Sequence, residues 1–119
     1  KTMTKAAFWQ RGETLDYTNP GTSTIEANTV ISFGGHIGIA GTDILPGEVG
    51  TLHVTGVFEM PKTATTAIEM GASVYFDGTG ITTAANDGAT SNPTAHPLAG
   101  YAAQAAAAGD TAILVKLAG

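Results

Sequence analysis

The side chains able to do acid–base or metal chemistry in this chain are few and scattered. Histidine occurs at His36, His53 and His96. A metal held from β-strands needs ligands that are near neighbours or directly opposed. If the chain turns about Pro46-Gly47, His36 faces the region of Val57 and Phe58, and His53 faces Ala40 or Gly41. The two then do not meet, and His96 falls in a loop before Pro97. Surface or edge histidines fit that spacing. The carboxylates stand singly. Glycoside hydrolysis needs two of them at a fixed separation across a cleft. Asp16, Glu59 and Asp77 are the candidates if the fold brings two together, and turn capping is the other role open to them.

Other chemistries lack their residues. The chain has no cysteine, which removes a thiol nucleophile, a disulfide framework and Cys-ligated zinc. No G-x-S-x-G elbow and no phosphate loop of the G-x-x-x-x-G-K-[ST] type occurs. Gly34-Gly35-His36-Ile37-Gly38 and Gly78-Thr79-Gly80 are glycine-rich, but neither opens a helix on which a phosphate could rest. The expectation is a protein that is not an enzyme and uses no cofactor or metal.

The elements that must position these groups are strands. A glycine, a polar residue and then a strand-like run recur at Gly12-Glu13-Thr14-Leu15, Gly47-Glu48-Val49-Gly50, Gly71-Ala72-Ser73-Val74 and Gly109-Asp110-Thr111-Ala112. Glycine allows the tight reversal, and β-branched and aromatic residues suit the strand that follows. Residues 29–33 alternate, with Thr29, Ile31 and Phe33 on one face. Residues 36–44 and 51–60 flank Pro46-Gly47 as a hairpin, with Leu52, Val54, Phe58 and Met60 on one side. Gly56 interrupts that row and predicts a bulge or sharp bend. Residues 61–71 suggest one helical turn stopped by Gly71. Val74 and Phe76 alternate with Tyr75 and Asp77. Asp77-Gly78-Thr79-Gly80 is a turn, and residues 81–83 form a short strand. Residues 84–96 read as an exposed loop. Residues 98–103 and 111–117 complete the strands, the last with Ile113, Val115 and Leu117 inward. The fold class is all-β, a small β-barrel or β-sandwich.

The first residues differ. Lys1, Lys5 and Arg11 are three basic residues close together, and Phe8 and Trp9 stand side by side, Trp9 being the one tryptophan. The division expected is a short N-terminal arm, residues 1–6, and a single β domain, residues 7–119, whose first strand is residues 7–10. An exposed Trp is a frequent interface anchor, and a plug for one end of a barrel is the other role it could fill. Lys5, Phe8, Trp9 and Arg11 are the expected contact residues.

Bulk composition limits the partners. Five basic and ten acidic residues give a net charge of −5, which disfavours nucleic acid. Charged residues make up 13%, about half the usual ~25%. Thr, Ala and Gly replace them. Such a surface fits packing against copies of itself or a large partner, and an ordinary Thr-rich β domain has the same composition. No apolar run is long enough to cross a bilayer as a helix, and residues 1–10 lack the hydrophobic stretch of a secretion signal. The expectation is a soluble protein made in a cytoplasm.

The order of certain phrases is informative. Arg11-Gly12-Glu13-Thr14-Leu15-Asp16-Tyr17 precedes Thr55-Gly56-Val57-Phe58-Glu59-Met60-Pro61-Lys62. Leu98-Ala99-Gly100-Tyr101-Ala102 and Gly109-Asp110-Thr111-Ala112-Ile113-Leu114-Val115 follow. From about residue 7 onward the sequence resembles the tailed-bacteriophage capsid cement, or head decoration, proteins. Some members carry a label of DNA recombinase, which the missing nucleotide loop and basic face argue against here. The resemblance implies a structural protein on the outer surface of the capsid, made in the host cytoplasm. Its implied partners are the major capsid protein and itself, as dimer or trimer, with no nucleic acid and no membrane. It supplies no catalytic residues. The alternative is a virion-displayed β-domain that binds a host surface or carbohydrate, with Tyr17, Tyr75 and Tyr101 as a stacking face.

Overall fold

The computed structural model describes residues 3–118. Among them are nine strands and no helix: β1 Thr14–Thr18, β2 Val30–Phe33, β3 His36–Ala40, β4 Val49–His53, β5 Val57–Pro61, β6 Ser73–Phe76, β7 Ile81–Thr82, β8 Leu98–Ala102 and β9 Ala112–Leu117. They form two antiparallel sheets, ordered β1-β4-β3-β2 and β5-β9-β8-β6-β7. The arrangement is sandwich-like. It is not a closed barrel, because each sheet keeps two free edges.

Local chemistry explains the main reversals. Gly34 and Gly35 both have positive φ, 54° and 84°. That is the two-residue turn whose twist matches an antiparallel hairpin, and it pairs β2 with β3 from Val30↔Ile39 to Phe33↔His36. Gly56, at φ 114°, is the bend expected from the sequence. It does more than bend a strand. Residues 51–60 do not form one arm; they divide into β4 in the first sheet and β5 in the second. The inward row survives the division: Leu52, Val54 and Met60 are buried.

Two other expectations fail. Residues 7–10 are not a strand: they are exposed and form no regular structure. Residues 61–71 make no helical turn. Pro61 ends β5, and the backbone of Ile68 bonds across to Ala106 in both directions, 2.9 and 2.8 Å. Ile68 is thereby drawn into the core, 2% exposed, which local helical hydrogen bonds would not achieve.

The two sheets are copies of one motif. The order β1-β4-β3-β2 recurs as β5-β9-β8-β6. Thr14↔His53 to Thr18↔Val49 recurs as Val57↔Lys116 to Pro61↔Ala112. Ile39↔His53 recurs as Tyr101↔Lys116, and Val30↔Ile39 as Ser73↔Tyr101. The loops match as well. Ile25 bridges Ile44 where Ile68 bridges Ala106. The amide of Asn28 bonds Ala40 and that of Gly71 bonds Ala102, each at 2.8 Å. The two buried polar side chains are equivalent: Asn19 Nδ2 donates to the carbonyls of Ser23 and Ile44, and Lys62 Nζ to those of Ala64 and Ala108. Each ties its motif's long loops together. The second motif differs by residues 77–97, which include β7 and stand where the first has only Gly34-Gly35.

Each motif covers one face of its sheet with its own loops. Alternate strand residues point to opposite faces, so Ile31, Ala40 and Leu52 share the loop-covered face of the first sheet. They join Ile44 and Val54 in a small core cluster. Their equivalents Val74, Ala102 and Val115 lie in the larger cluster. Ile37 and Ile39, on the opposite face of the first sheet, also belong to the larger cluster. That contact joins the two halves.

Gly100 occupies the tightest position. Its φ is 147°, and a Cβ there would collide with the carbonyl of Lys116 on β9. Gly109 faces open space. Gly100→Ala should therefore cost more than about 3 kcal/mol, and Gly109→Ala no more than about 0.5 kcal/mol. Denaturant unfolding of the two variants checks this; equal midpoints would contradict the packing described.

Candidate interaction surface

The groups with potential chemistry do not converge. His36 lies opposite Phe33, ring centroids 5.8 Å apart, and not against Val57 and Phe58 as the sequence suggested. The reason is the Gly34-Gly35 hairpin, which gives that end of β3 to β2. His53 pairs with Ile39 and not with Ala40 or Gly41, though its ring lies near Gly41 and tilts on Phe58 at 6.2 Å. His96 bonds the carbonyl of Ala84 through Nδ1 at 3.0 Å. Asp16 and Glu59 are exposed at equivalent positions on edge strands of different sheets. Among the described residues no group of three or more His, Cys, Asp or Glu is placed to hold a metal ion.

Asp77 caps a turn. Its Oδ1 accepts from the amides of Thr79 and Gly80, and its Oδ2 from the Thr63 hydroxyl at 2.6 Å. Partial burial pushes the carboxyl up. The Thr63 hydroxyl, the two amides and the charge of His96 together outweigh it, and the group titrates below the usual 3.8. Asp87 is also lowered, foremost by the amide of Ala89. Both roles are structural.

The surface is more distinctive. Residues 3–11 are exposed throughout and form no regular structure. Lys5 and Arg11 reach into solvent with them. Phe8 is 86% exposed and Trp9 90%, so Trp9 plugs no part of the fold. Residues 1 and 2, the arm's tip, lie outside the described residues. The arm leaves the body at Gly12, on the rim of an apolar cleft of about 260 Å³. Leu15, Phe33 and Val54 of the first motif and Leu98 and Ala99 of the second line it. The three tyrosines form no common face: Tyr17 packs on the small core cluster of the first sheet, while Tyr75 and Tyr101 belong to the second.

A comparison with protein families matches residues 9–117 to the phage cement proteins. The chain belongs to the phage cement protein family. No curated protein and no solved structure matches it. Family membership makes this a structural phage protein associated with the capsid. The exposed surface of the described residues carries Phe8 and Trp9 in the N-terminal segment, and the apolar cleft. Sequence reasoning singled out Lys5, Phe8, Trp9 and Arg11 through their composition. It named Tyr101 as an outward stacking candidate, and missed the cleft and the exposed Val57.

Two outcomes follow for the isolated protein. Trp9→Ala should leave stability within about 0.5 kcal/mol, and acrylamide should quench the single indole as it quenches free tryptophan. A loss of about 3 kcal/mol, usual for a buried Trp, would place the ring inside the fold. Asp77→Ala should cost about 1 kcal/mol at neutral pH, allowing for solvent screening. A carboxyl with a lowered folded pKa stabilises fully above its unfolded value, and that stability is lost as pH falls through the folded one. The unfolding midpoints of variant and parent should therefore converge below about pH 4; a gap that persists in acid would contradict the ionised cap.

Proposed function

We propose that this chain binds the outer surface of the major capsid protein lattice and stabilises the mature shell. The observation that carries the reading is the arm: adjacent Phe8 and Trp9, 86% and 90% exposed, flanked by Lys5 and Arg11. Burying one large apolar side chain is worth about 1.5–3 kcal/mol. In the isolated protein these two have no such burial, and a partner surface supplies it. The cationic residues beside them would meet acidic or carbonyl groups of that partner.

The energetics suit a repetitive lattice. A contact of about 1,000 Å² is at the lower limit for a specific interface. Because the protein binds the expanded shell and not its precursor, each copy shifts the equilibrium toward that shell by mass action. Many modest contacts then act together. On this reading the protein is made in the host cytoplasm, joins the virion from outside, contacts copies of itself as a dimer or trimer, and catalyses nothing. Its charge of −5 suits a position away from packaged nucleic acid, and the reading needs no membrane. The separation of Tyr17 from Tyr75 and Tyr101 leaves the carbohydrate-binding alternative without its stacking face.

Heads prepared with and without the protein should release DNA at different temperatures, the decorated ones higher. Equal release temperatures would refute stabilisation. Trp9→Ala, or removal of residues 1–9, should leave the body folded and reduce co-sedimentation with heads at least about tenfold in affinity. Undiminished binding of both would show that the arm is not the anchor.

A further inference from the structure

The contact between the two motifs is made once within the chain, and both of its surfaces recur unused. In the chain, the first sheet contributes Ile39, 3% exposed, and His53, whose ring meets Phe58. The second motif receives them around Phe58 and Leu117. By the matching registers, the residue equivalent to Ile39 is Tyr101 and the one equivalent to His53 is Lys116. Tyr101 is 47% exposed, and beside Lys116 stands Val57, 55% exposed. On the receiving side, Phe58 and Leu117 are equivalent to Leu15 and Val54. Leu15 is 37% exposed and both line the open cleft. The first motif thus gives without receiving, and the second receives without giving.

We propose that a second copy of this chain completes the pattern: the Tyr101–Val57 face of one copy docks on the Leu15–Phe33–Val54 cleft of another. The cleft holds about 260 Å³. An apolar cavity of about 150 Å³ accepts a benzene ring, so the Tyr101 ring fits with space for its hydroxyl at the rim. The two surfaces differ, so the contact is heterologous. It closes as a reciprocal pair or a small ring. Every motif in the assembly then has its neighbour, and apolar side chains exposed in one copy become buried. The proposal concerns copies of this chain alone and stands whatever the capsid contact proves to be.

The test is sedimentation equilibrium of the full chain, with circular dichroism to verify folding. The parent should associate. Tyr101→Ser and Leu15→Asp should each weaken association by at least about tenfold, with unchanged unfolding midpoints; Leu15→Ser replaces Leu15→Asp if the latter does not fold. The mixture is decisive. Tyr101→Ser retains its cleft and Leu15→Asp retains its Tyr101 face, so together they should form a one-to-one complex. A parent that stays monomeric, variants that associate as the parent does, or a mixture that forms no complex would each overturn the proposal. So would association abolished by Trp9→Ala and untouched by Tyr101→Ser, since the arm would then occupy the cleft.

Discussion

Ile37 and Ile39 point one way from β3 while Gly38 and Ala40 point the other, and both sides are covered. On one side Leu52 lies so close to Gly38 that an added Cβ would come within 2.6 Å of its Cγ. On the other side the two isoleucines enter the core of the second motif. The rest of the architecture depends on this double burial. It fixes the first sheet between two apolar clusters, and it joins halves that the chain itself connects only through Val54, Thr55 and Gly56. A central strand of this kind tolerates no register slip, because a shift of one residue exchanges isoleucine for glycine against both clusters.

A body held in this way has little interior left for chemistry. Its buried polar groups, Asn19 and Lys62, are consumed in tying loops to the motif cores. Its best-organised carboxylate, Asp77, is consumed in a turn. Phe8, Trp9, Val57 and Tyr101 are apolar or aromatic side chains left exposed. That division suits a family of structural phage proteins: the strands supply the form, and on the proposed reading the exposed N-terminal residues supply adhesion.

Much of this was legible in the amino-acid sequence. The alternation of Ile113, Val115 and Leu117 gave the inward face of β9, and Gly56 marked the bend. Phe8 and Trp9 stood out from a sequence otherwise poor in aromatics. The failures share one cause, which is that tertiary partners decide ambiguous segments. Residues 7–10 have strand-like side chains but join neither sheet. Residues 61–71 have helix-like composition, but Ile68 is claimed by the core and its backbone by Ala106. The duplication left a trace in Ile25-Glu26 and Phe33 against Ile68-Glu69 and Phe76. It was obscured by residues 77–97 and by an alanine at position 106 where its counterpart is Ile44. Tyr101 was read as an outward residue, but the burial of its counterpart Ile39 was not legible, because it depends on which face of each sheet the other half covers.

The central claim is that this protein acts by surface contact on a capsid, anchored through its arm. A cryo-electron microscopy map of decorated heads tests it most directly. The account predicts density for the β body on the outside of the shell, with Phe8 and Trp9 buried against the major capsid protein. A map that shows the body attached while both aromatic rings remain in solvent, or no body on the shell, would contradict it.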